Sequence, residues 1–202
     1  MTVTVSEVIT RRVLALAWLS LGWMTVEGVL GLVAGLAAGS IALTGWALGS
    51  VIEGAASVIV IWRFTGTRRF SEEAERRAGR AVAISFFVLA PYIAAEAIRD
   101  LVVGHDSGSS VVGIVVTAVS LVGMPVLGVA KRRYGRQLGS EATAGEGTQN
   151  LICATQAGAV LLSLAVNAAV QVSWLDPVVA LLLAGWAVRE GVSAWNGDDD
   201  CC

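Results

Sequence analysis

The chain has 202 residues, of which 55% are hydrophobic and 15% charged, and its mean hydropathy is +0.72. That balance excludes an ordinary soluble domain. The formal net charge of −2 says little because the charges are unevenly placed, and three cysteines cannot build a disulfide framework.

A membrane-crossing helix needs about 20 mostly apolar residues. Six stretches qualify: 13–36, 41–63, 81–103, 110–130, 148–170 and 174–195. The expected fold is therefore all-α, a six-transmembrane-helix bundle. A segment 1–12 precedes it and a short acidic Cys-Cys tail, 196–202, follows. Arg11 and Arg12 stand before the first apolar run, but further runs follow at once, so that run reads as a retained span rather than a cleaved signal. Its second half, GVLGLVAGLAAGS, carries small residues at three- and four-residue spacing, and LLLAGWAVREG does the same in the sixth span. Small residues let membrane helices pack backbone to backbone.

The longer connectors are basic. Arg63, Arg68, Arg69, Arg76, Arg77 and Arg80 follow span two, and Lys131, Arg132, Arg133 and Arg136 follow span four. The connectors at 104–109 and 171–176 have no Lys or Arg. Positive charge marks cytoplasmic loops, so both termini are expected inside. The basic loops then touch anionic lipid head groups and set topology; no nucleic-acid partner is expected.

Span one carries Glu27 and span two carries Glu53, in ALGSVIEGAAS. Each lies near the middle of its run, where an ionised carboxylate is costly unless paired. The short GS link makes the two spans antiparallel neighbours, with both acids at similar depth. Two such carboxylates repel unless one is protonated or a cation lies between them. Span three carries Glu96, Arg99 and Asp100 near its outer end; Glu96 and Arg99 are spaced to pair along one face. His105, the only histidine, lies beside Asp106 in a short connector and reads as solvated. Span five holds Gln149, Asn150, Cys153 and Gln156 in GTQNLICATQAG, with Asn167 further along. Gln149 and Cys153 share a helix face. Carboxylate, amide and thiolate all ligate metals, and a thiolate favours borderline cations such as zinc. Equally, Cys153 reads as a small buried hydrophobe and the amides as interhelical hydrogen-bond formers. Asp176-Pro177 after Trp174 reads as the capped, interface-anchored start of span six.

GLAAGSIALTGWALGSVIE in the first hairpin and GAVLLSLAVNAAVQVSWLDPVVALLLAGWAVREG in the last resemble the cation diffusion facilitator (cation efflux) family of metal transporters, from about Leu16 to Trp195. The closer likeness is to a short actinobacterial-type branch lacking the C-terminal cytoplasmic domain. The resemblance implies six spans, both ends inside, a homodimer, and a metal held by two i, i+4 pairs from spans two and five. Those positions here are Gly49 with Glu53, and Gln149 with Cys153. Gly49 stands where Asp is usual, Gln149 where His or Asp is usual, and Cys153 replaces an Asp. Glu27 would restore the charge lost at Gly49.

The expected function is secondary transport of a divalent cation such as zinc, as an exporter, by proton antiport, with no permanently bound cofactor. The ligands would be Glu53, Cys153, Gln149 and Glu27, with Asn150, Gln156, Cys201 and Cys202 as secondary candidates. Bound metal must displace protons from its ligands, which makes antiport natural. There is no ATP-binding, hydrolase or cofactor motif, so the chain is not expected to be an enzyme. The alternative is a transport-incompetent relative acting as a membrane scaffold or regulatory subunit, favoured by Gly49 and Gln149.

Overall fold

A computed structural model describes residues 5–64, 72–104, 107–138, 140–172 and 174–196. His105, Asp106, Arg68, Arg69 and the acidic Cys201-Cys202 tail lie outside these residues. Six helices follow in chain order: α1 (Val5–Ala38), α2 (Ile41–Phe64), α3 (Glu72–Val103), α4 (Val111–Leu138), α5 (Glu141–Val170) and α6 (Leu175–Asn196). Among the described residues α1, α4 and α5 are long and apolar enough to cross a membrane, and Ile41–Ala55 of α2 forms a shorter apolar stretch.

The helices outrun the apolar spans. α1 starts before Arg11, and α4 and α5 run through most of the expected 131–147 connector. Charged residues end a hydropathy window, but they do not end a helix, whose hydrogen bonds lie in the backbone. Lys131 and Glu146 are therefore helical and buried rather than loop residues.

The packing is inside-out relative to a soluble bundle. Val26, Val29, Val33, Val88, Val122, Val126 and Leu182 face outward, while Ser20, Glu27, Ser50, Glu53, Ser57, Ser120 and Asn150 are buried. Helices pack on one another with α1 against α2 and α4, α2 against α3, α5 and α6, and α3 against α6. α2 is the central element, and this places Glu53 where four helices can reach it.

Two hairpins, α1–α2 and α4–α5, turn in the same way. In the first, Ser40 N–H bonds the Gly35 carbonyl at 2.9 Å and the Ser40 hydroxyl accepts from Leu43 N–H. In the second, Ser140 N–H bonds the Gly135 carbonyl at 2.9 Å and its hydroxyl accepts from Thr143 N–H. Both serines cap the helix that follows. The closest helix approaches match as well. A Cβ on Gly28 would meet Val51 and Ala47, and one on Gly128 would meet Leu151 and Gly147. The hairpins turn at opposite ends of the bundle. Gly108 N–H reaches the Ala38 carbonyl at one end, and Arg12 donates to the Tyr134 hydroxyl at the other. The pairings α1 with α4, α2 with α5 and α3 with α6 complete an inverted repeat. Gly49 and Glu53 of α2 thus correspond to Gln149 and Cys153 of α5.

Candidate metal centre

Glu53 is 3% exposed. Its Oε1 accepts from Gln149 Nε2 at 3.2 Å, and its Oε2 has no partner among the described residues. One turn back on α2, a Cβ added to Gly49 would meet nothing within 4 Å. The missing Asp side chain therefore leaves open space beside Glu53 rather than a cavity filled by a neighbour.

Glu27 is fully buried and accepts from the Ser120 hydroxyl, which in turn accepts from Trp23 Nε1 at 3.1 Å. The Cys153 thiol donates to Glu27 Oε1 at 3.8 Å. Gly28 faces Val51, so Glu27 lies about one helical turn from Glu53, towards the Ser40 end. Cys153 lies between the two carboxylates, with Trp46 beside it.

The donors come as two pairs, Glu53 with Gln149 and Glu27 with Cys153. Among the described residues no group of three or more His, Cys, Asp or Glu side chains is close enough to hold a metal ion. The arrangement contains one amide, one thiol and two carboxylates, a donor set suited to a borderline divalent cation. Asn150 is turned to α1, where Nδ2 reaches Ser20 Oγ at 3.4 Å, while its Oδ1 has no partner among the described residues. Gln156 is half-buried and joins neither pair.

The remaining sequence candidates are structural. Arg99 Nη1 pairs with Glu96 Oε2 at 3.3 Å, as their spacing predicts. Asp176 is buried at the start of α6, but it caps the start of α2. Its Oδ1 accepts from Ser40 Oγ at 2.6 Å and its Oδ2 from Ala42 N–H at 3.1 Å. The expected cap of its own helix is thus a cap of its neighbour, because the first turns of α2 and α6 meet at that end. Asn167 Nδ2 donates to the Ser107 carbonyl at 2.6 Å and ties α5 to the α3–α4 connector.

Sequence reasoning missed Ser120, Ser57, Lys131 and Glu146. Lys131 Nζ lies 2.6 Å from Glu146 Oε1, and the Ser57 hydroxyl donates to the same oxygen. Ser57 had a signal, as a polar residue one turn from Glu53 on the same helix face, whereas Ser120 stands on α4 and meets Glu27 only through the fold. The ion pair was hidden by its basic neighbours Arg132 and Arg133.

A helical bundle with an aliphatic exterior and carboxylates, a thiol and hydroxyls inside is an integral membrane protein with a buried polar site. Its family is that of the cation efflux transmembrane domain, whose profile matches residues 17–194, so the chain belongs to the cation diffusion facilitators, membrane transporters of metal cations. No curated protein matches the chain.

Proposed function

We propose that the chain exports a divalent cation of the zinc type by proton antiport, through a site between α2 and α5. Glu53 and Gln149 form one half of the ligand set, and Glu27 and Cys153 the other. The observation that carries this reading is the buried Glu53 Oε2, which has no donor among the described residues and lies one helical turn from open space at Gly49. A buried carboxylate oxygen without a partner is costly, and a cation is the natural partner. Movement of α5 against α2 and of α1 against α4 would bring the two pairs together. Ligation requires deprotonated carboxylate and thiolate, so metal entry expels protons and metal release takes them up. The six helices act as six spans with both termini cytoplasmic, and the transporter works as a homodimer. No catalytic step is assigned to it, and the metal is cargo rather than a resident cofactor.

The test is equilibrium binding of Zn²⁺ and Cd²⁺ to the purified chain by calorimetry. One ion per protomer is expected, lost in Glu53→Ala and weakened in Cys153→Ala and Glu27→Gln. A second reading, a relative that kept the bundle and lost transport, is favoured by the separation of the donors into two pairs. It predicts no stoichiometric binding by the wild-type chain.

A further inference from the structure

We propose that Lys131 is a tethered counter-cation closing the basic end of the transport path, and that the Glu146 carboxylate it occupies is the first ligand of an incoming metal ion. The inference rests on the Glu53 site proposed above.

Both side chains are almost wholly buried, at 1% and 2% exposure, with Lys131 Nζ 2.6 Å from Glu146 Oε1. Ser57 donates to that same oxygen, while Glu146 Oε2 has no partner among the described residues. Ser57 lies one turn beyond Glu53 on α2, and Glu146 lies one turn before Gln149 on α5. The ion pair therefore forms a layer directly next to the Glu53–Gln149 layer, on the side of Arg12 and Tyr134. Two buried carboxylate oxygens without donors among the described residues, Glu146 Oε2 and Glu53 Oε2, thus stand in successive layers.

The inverted repeat supplies the second argument. The positions in the first hairpin that correspond to Lys131 and Glu146 are Gly31 and Trp46. There the Trp46 ring packs over Gly31, so that a Cβ at Gly31 would lie 3.4 Å from it, and Trp46 is 2% exposed. At the Ser40 end the layers are closed by an indole plug. At the basic end the same two positions carry an ammonium on a carboxylate. An indole blocks every ion alike. An ammonium holds the carboxylate ready and yields to a doubly charged competitor, whose attraction to the carboxylate is stronger at equal distance. The flexible lysine stem lets the charge move aside without unwinding α4.

The decisive variant is Lys131→Met with Glu146→Gln in the full chain, reconstituted and assayed for Zn²⁺ uptake beside wild type and Glu53→Ala. Replacing both members of a buried ion pair by neutral side chains usually preserves folding. The proposal expects a KM for Zn²⁺ raised about tenfold or more, because the entry ligand is gone. It also expects Lys131→Met alone to bind Cd²⁺ roughly tenfold more tightly, since the internal competitor is removed. A double variant with wild-type KM, whatever its thermal stability, assigns the pair to packing and overturns the proposal. Unchanged Cd²⁺ affinity in Lys131→Met does the same. If Glu53→Ala transports normally, the underlying site is wrong. If Glu53→Ala is silent while the double variant is normal, only the present inference fails.

Discussion

At Gly49 the chain leaves room for a ligand it does not have. A Cβ there meets nothing within 4 Å, so Gly49→Asp should fold normally. It adds a carboxylate beside Glu53 and should tighten Zn²⁺ binding by about tenfold, as extra ligand charge does at other cation sites. Calorimetry on the variant checks this; unchanged affinity would place the ion elsewhere. Affinity should fall as pH falls, because protons compete for the carboxylate and thiolate donors. Binding titrations across a pH series read that slope directly. Glu27 and Glu53 were legible as buried groups because each interrupts an apolar run. Lys131 and Glu146 were not, because a charge flanked by Arg132 and Arg133 looks like part of a solvated loop. Only the fold shows that the helix continues and turns that lysine inward.

The α4–α5 hairpin is held by direct backbone approach. A Cβ on Gly147 would lie 2.7 Å from both the Gly128 carbonyl and Arg132 N, and one on Gly135 would lie 2.6 Å from Ala144 N. Gly147→Val must separate the helices and should cost about 1–3 kcal/mol. A lower thermal midpoint in detergent, with weaker metal binding because Gln149 shifts with α5, is the expected result. Asp176→Ala removes the acceptor of the buried Ser40 hydroxyl and of Ala42 N–H, and should cost about 1–3 kcal/mol. Thermal unfolding measures it, and Asp176→Asn should recover part of the loss. The sequence located small residues in the first and sixth spans as packing surfaces, and Gly35 and Gly191 do lie against Thr44 and Phe87; the α4–α5 hairpin adds the close backbone approaches at Gly135 and Gly147. Spacing identifies a smooth face but not the partner that meets it. The reuse of Gly35 and Ser40 as Gly135 and Ser140 was visible as GLAAGS and GRQLGS, but it gained meaning only when both turns were seen to make the same bonds.

On the scale of the whole molecule, six helices with their hairpins at opposite ends make a bundle with an aliphatic exterior and buried polar side chains between α1, α2, α4 and α5. The basic residues Arg12, Arg80, Arg133 and Arg136 lie on the helix segments nearest one end, which the proposed orientation makes cytoplasmic. In a chain with Cys201→Ser and Cys202→Ser, an impermeant maleimide should label Ser109→Cys in intact cells and label Arg136→Cys only after permeabilisation. The reverse pattern would invert the direction of transport. The helix count and the acidic pair were legible because hydropathy and misplaced charge are local signals. The grouping of donors into two pairs was not, because it depends on how α1, α2 and α5 cross.

The most direct test is Zn²⁺ flux into proteoliposomes carrying a pH-sensitive dye in the lumen, comparing the wild-type chain with Glu53→Ala. The account predicts Zn²⁺ uptake with proton movement in the opposite direction, both absent in Glu53→Ala despite normal folding and insertion. Zinc uptake that persists without the Glu53 carboxylate, or wild-type protein that moves no ion, would contradict it.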